Sequence, residues 1–221
     1  MIAVTLRRPW LEARLPGPMR VLSHAPYGAG YRVTDLVLWR EVKNADLVEG
    51  FLVDDWFANE MSDTPGAVGM LTSRDVGTWS QAMAQVDGIT AQCVVTLGLS
   101  NAECVGTRLL WHSADYGTIN LLVATDAGLT ETAQLEALTI AVQARTVGVI
   151  SAGLALATGQ ATGTGTDCLA IACGPGAARY AGLHTAIGEA VGAAVRQAVE
   201  RAAADWVRWR DAERERPGPG R

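Results

Sequence analysis

Lysine is almost absent. Lys43 is the single lysine among 18 basic residues, which face 23 acidic ones for a net charge of −5. Such a chain lacks the broad cationic footprint that a phosphate backbone requires, which excludes a general nucleic-acid binder. The four cysteines, at 93, 104, 168 and 173, form no C-x-x-C pair, and no histidine stands at zinc-finger spacing. Cys93, Cys168 and Cys173 sit inside apolar runs and read as buried reduced thiols of a cytosolic protein. No apolar run reaches about 18 residues, and no basic region followed by an apolar stretch opens the chain. The expectation is a soluble cytoplasmic protein with no membrane or nucleic-acid partner; a single chain and an oligomer are both left open. What is there is 221 residues, 49% hydrophobic, with 24 glycines, enough to bury a substantial core.

The order of elements points to an α+β single domain. "PWLEARLPGPMRVLSHA" reads as a hairpin, with strands near 10–15 and 19–24 around Pro16-Gly17-Pro18. Val33, Val37 and Trp39 alternate against Thr34 and Arg40, which predicts a strand over 33–42. A short helix fits within 48–61. From 67 onward the expected series is strand 67–73, helix 75–86, strand 89–99, a loop over 100–116, strand 117–127, a long helix from Thr130 and strand 168–174. Leu135, Leu138, Val142 and Val149 form the apolar stripe expected of the long helix. Ile187, Val191, Val195, Val199, Ala202 and Trp206 form that of a final helix over about 184–211. The predicted architecture is a mixed or antiparallel sheet with a β-α-β-β-α-β core, an N-terminal strand meander and a long C-terminal helix. One domain spans 1–212, and 213–221 form a disordered tail.

Three polar clusters interrupt this pattern. The first is Thr162-Gly163-Thr164-Gly165-Thr166-Asp167, poor material for a helix or a strand interior. It joins a helix to a strand and has no lysine, so it is neither a P-loop nor a dinucleotide fingerprint. Its glycines let a ligand approach the main chain, its N–H groups and hydroxyls can donate, and Asp167 can orient a donor or act as a base. A tight turn with a structural aspartate explains the composition equally well. The second is "YGTIN" at 116–120, where Thr118 and Asn120 share a strand face. The Asn120 amide fits a ligand or a bulge. The third is "RYAGLHTAIGEAVG" at 179–192, which sets His184 at a helix start, where the helix dipole disfavours imidazolium and leaves a neutral base. Glu189 lies about 140° further around that helix and reaches the same site only from its side. These clusters serve one site only if the strands at 117–127 and 168–174 are neighbours.

At these residues the sequence resembles the adenosylcobinamide amidohydrolase family (CbiZ-type). The matching stretches are "VLSHAPYGAG", "AVGMLTS", "GTINLLVATDAGLT", "ATGTGTDCLAIA" and "YAGLHTAIGEAVG", in the family's order from about 19 to 200. The resemblance implies hydrolysis of a linear amide of a corrinoid, releasing aminopropanol from adenosylcobinamide and leaving adenosylcobyric acid in cobinamide salvage. It implies a small-molecule corrinoid as substrate, with no certain cofactor and an open metal requirement. It also implies site residues: Thr118, Asn120 and Thr162, Gly163, Thr164, Gly165, Thr166 for substrate, and Asp167, His184, Glu189 for chemistry. His184 or Asp167 would activate water, the 163–166 loop would hold the oxyanion, and Glu189 or the protonated His184 would assist the leaving nitrogen. A covalent route through Thr164 or Thr166, and a metal held by Asp167, His184 and Glu189, are the other routes these residue types allow. Where such proteins commonly read Glu-Ala-Lys-Thr, this chain has Gln143-Ala144-Arg145-Thr146. A non-catalytic corrinoid-binding protein is the alternative that Gln143 keeps open.

Overall fold

The computed structural model describes residues 1–43, 50–108 and 117–215. In chain order the strands are β1 (Ala3–Arg7), β2 (Trp10–Ser23), β3 (Gly30–Glu41), β4 (Val68–Thr72), β5 (Ser80–Val86), β6 (Ile89–Leu97), the short β7 (Ala102–Glu103), β8 (Ile119–Leu129), the short β9 (Ala155–Leu156), β10 (Gly159–Gln160) and β11 (Gly163–Thr164), and β12 (Cys168–Pro175). The helices are α1 (Val53–Glu60), α2 (Glu131–Ser151) and α3 (Ala186–Glu215). Eight strands form one mixed sheet in the order β4-β3-β2-β12-β8-β6-β5, with β1 on β2. The expected α+β class, mixed sheet and long C-terminal helix are all present.

β8 and β12 are apolar almost throughout because both of their faces are covered. On one face Ile119, Leu121, Val123, Leu169, Ile171 and Cys173 pack under α2 and α3. On the other, Leu122, Ala124, Ala170 and Ala172 meet Leu11, Val37, Trp39 and Met70. The second core exists because the sheet curls until β4 faces β8: Asn120 Nδ2 donates to Leu71 O at 2.6 Å. Thr130 caps α2 by accepting from Ala133 N at 3.2 Å. The helix then returns across the sheet, antiparallel to β8, and ends above the start of β12. The α3 stripe of Ile187, Val191, Val195, Val199, Ala202 and Trp206 is buried as its spacing predicts.

Four expectations need correction. Residues 75–86 are not a helix: Asp75 accepts from Gly77 N at 2.6 Å to start a 3-10 turn at Val76–Thr78, and β5 follows. Ala82 is buried while Gln81, Met83 and Gln85 are exposed. That period of two outweighs the helix propensity of Gln, Ala and Met once β6 offers a ladder. The predicted β-α-β-β-α-β core is therefore β-β-β-β-α-β in its principal elements. Pro16-Gly17-Pro18 does not turn the chain. It bends a continuous β2, whose register with β3 shifts between Arg14 and Met19, since two prolines cannot donate to the ladder. The hairpin lies one step earlier, between β1 and β2. On α2, Leu135 is half exposed, and the buried line is Ala133, Ala137, Ile140, Ala141, Ala144 and Val149. Small side chains bring this helix close to the sheet and to α3. Finally, residues 213–215 continue α3 rather than starting a tail.

Candidate active site

Asp167 is the hub of the Thr/Gly loop. It leads into β12, and β12 lies parallel to β8 with Cys168 opposite Asn120, so the strand adjacency on which the site depends is present. Thr164 folds back on it: its hydroxyl donates to Asp167 Oδ1 at 2.5 Å, and its N–H lies 3.2 Å from both carboxylate oxygens. Ile119 N donates to Oδ1 at 3.3 Å. From α2, Arg145 Nη1 stands 2.9 Å from Asp167 Oδ2 and donates to Thr162 O at 2.7 Å. Both side chains of this ion pair are largely, not fully, buried, 13% and 9% exposed. Burial pushes the Asp167 carboxyl above its ordinary value, while the Arg145 charge and the Thr164 and Ile119 donors pull it back.

The alternation of Thr and Gly now has a physical reason. A Cβ on Gly163 would stand 2.6 Å from Asp167 Oδ2 and closer still to Arg145 Nη1, so only glycine lets the ion pair close. Each threonine is a tie. Thr162 N donates to Glu103 O at 2.9 Å and its hydroxyl accepts from Val105 N at 2.8 Å. The Thr166 hydroxyl donates to Gly117 O at 3.0 Å. The Thr118 hydroxyl donates to Thr166 O at 2.6 Å and lies 3.2 Å from Asn120 Oδ1. Thr118 and Asn120 therefore brace the loop and clasp β8 to β4; both are buried.

The loop borders a cleft of about 410 Å³. Its rim carries Arg145, Asp167, residues 162–165, and three side chains that the sequence reading passed over: His24, Glu103 and Cys104. His24 Nε2 lies 3.1 Å from Asp167 O. A carbonyl only accepts, so Nε2 carries the proton of this contact. The neutral ring then keeps a bare lone pair on Nδ1. His24 stands inside the "VLSHAPYGAG" stretch, and Arg145 two residues after Gln143. Gln143 itself is exposed, whereas the other departure from the family pattern, arginine for lysine at 145, lies in the Asp167 ion pair.

Two of the three clusters come together, and the third does not. Thr130 N donates to Ala178 O, and Ala181 N to Glu136 Oε2 at 2.6 Å, which ties 178–185 to the start of α2. Arg145 lies nine residues further along α2, about 13 Å of helix rise. His184 and Glu189 are exposed at that distant end. Asp167, His184 and Glu189 thus cannot form one ligand set, and among the described residues no three His, Cys, Asp or Glu side chains cluster as metal ligands. Among the aromatic residues, Trp39 is fully buried, Tyr27 packs on Phe57, and Tyr31 is exposed with its hydroxyl donating to Glu131 O. Trp111 lies outside the described residues.

A family model described as adenosylcobinamide amidohydrolase (CbiZ) matches residues 2–211. The chain belongs to this family. The adenosylcobinamide amidohydrolase of Halobacterium salinarum is 32% identical over 163 residues, spanning 66% of this chain and 68% of that protein. Among solved structures, the PH0078 protein of Pyrococcus horikoshii OT3 shares 14% identity at a TM-score of 0.39, over 87% of this chain and 76% of that one. That likeness carries no argument. The span matched to the adenosylcobinamide amidohydrolase family runs from the residue before β1 into α3, and so includes the cleft and the His184 end alike. Among the described residues no helix is long and apolar enough to cross a membrane.

Proposed function

We propose that the chain hydrolyses the amide of adenosylcobinamide, releasing aminopropanol and leaving adenosylcobyric acid, in the cleft beside Asp167. Family membership supports the substrate class. The observation that carries the chemistry is His24, held through Nε2 by the Asp167 carbonyl at the cleft rim. Its Nδ1 takes a proton from the attacking water and returns it to the departing nitrogen. Asp167 is a positioning residue, which fixes His24 with its main chain and Arg145 with its side chain. In this reading His24 takes the role first assigned to His184, and Glu189 has no part in the reaction. The loop residues Thr162–Thr166, with Thr118 and Asn120, shape the cleft wall.

The test incubates the purified protein with adenosylcobinamide and follows aminopropanol by mass. Release is expected from the wild type, and H24A should slow it by about 10²- to 10⁴-fold. A change in the corrinoid spectrum without release in the wild type would sink the reading and favour a non-catalytic corrinoid-binding protein.

A further inference from the structure

We propose that Arg145 is a catalytic residue: the guanidinium nitrogen left open to the cleft holds the substrate carbonyl oxygen as it becomes an oxyanion, and afterwards holds the carboxylate product. This rests on the reading that the cleft hydrolyses an amide. Nη1 donates to Thr162 O and stands 2.9 Å from Asp167 Oδ2 as its ion-pair partner. Among the described residues nothing accepts from Nη2 or from Nε; Nε is buried, and the side chain lines the cleft. A buried guanidinium with one nitrogen anchored and another unanswered is a donor fixed in advance of its acceptor. Such a donor stabilises developing charge without reorganising.

In the loop that composition suggested for this task, the threonine donors are in use. Thr164 directs its N–H and hydroxyl at Asp167, Thr162 N bonds Glu103 O, and Thr166 N lies 3.5 Å from Thr164 Oγ1. Arg145 and His24 meanwhile bind the same residue, one at its carboxylate and one at its carbonyl. A substrate amide beside Asp167 therefore has a base and a cation close together. Water gives its proton to His24 Nδ1 as its oxygen bonds the amide carbon. The C=O electron pair moves onto the oxygen, which Arg145 Nη2 binds. The C–N bond then breaks, its electron pair leaves with nitrogen, and the imidazolium proton follows. The products are an amine and an acid that ionises beside the guanidinium.

R145M removes the charge and every donor, while R145K keeps a cation, as such proteins commonly have at this position. With the thermal unfolding of both checked against wild type, R145M should lose about 10²-fold in kcat, with KM within about threefold, and R145K should regain most of it. A second measurement does not depend on turnover. In ¹⁵N-labelled wild type the buried Nε–H of Arg145 should give a proton signal that R145K lacks. Acetate, and separately adenosylcobyric acid, should move it in a saturable way. Turnover of R145M within about threefold of wild type overturns the proposal, whatever the signal does. Should wild type release no aminopropanol, the proposed function has failed, and the acetate arm decides the anion site by itself: a signal that does not move overturns it too.

Discussion

Gly163 and Asp167 set the behaviour of the site at the scale of single residues. Truncating Asp167 (D167A) leaves Arg145 buried without its counter-charge, an arrangement that costs about 3–5 kcal/mol. G163A drives a carbon into the same ion pair and should destabilise in the same direction. Chemical denaturation midpoints measure both. The cysteines give a second prediction. Burial pushes the Cys168 thiol up to about 12, and Cys93 and Cys173 also upward, from an ordinary value of 9.0. The folded protein therefore holds these protons more tightly than the unfolded chain does. That contribution is complete below pH 9 and is lost as pH rises from about 9 through the folded values, by up to ~1.4 kcal/mol per pH unit for each thiol. Unfolding free energies measured from pH 8 to 11 should fall accordingly. At pH 8, alkylation of the native protein should label Cys104, which lines the cleft, well before the other three; peptide mass mapping reads this directly.

At the scale of elements, "YAGLHTAIGE" is first a way to begin α3. Thr185 accepts from Gly188 N at 2.9 Å, an N-cap bond, so T185A should cost about 1 kcal/mol in thermal or chemical unfolding. Gly188 has no room for a side chain: a Cβ would stand 2.5 Å from Ala181 O. The stretch is thus accounted for by capping and close packing, with His184 and Glu189 left outside in solvent. Further along α3, Trp206 is 4% exposed over β5 and β6. Removing it (W206A) should cost about 3–5 kcal/mol, and an unchanged denaturation midpoint would contradict the packing described.

At the scale of the whole molecule, β12 decides which residues can cooperate. Its eight residues carry the chain roughly 23 Å from Asp167 before the turn toward His184 begins. Activity should therefore respond differently to the two histidines. H184A is expected to stay within about tenfold of wild type in aminopropanol release, while H24A is not. Equal losses in the two variants would show that both ends act together on one substrate.

The sequence by itself determined the strong periodicities: the α3 stripe, the Thr130 helix start, the apolar strands at the centre of the sheet, and the family. These are local or pairwise signals, repeated often enough to stand without a fold around them. It also marked the Thr/Gly loop as needing a reason. Only the tertiary structure decided what that reason is, because the loop's glycine answers to an arginine 18 residues earlier on another element. The same holds for the histidines. His24 and His184 are alike as letters, each in a stretch with small residues around it. What separates them is that β2 delivers one to the start of β12, while the turn after β12 carries the other to the far end of α2.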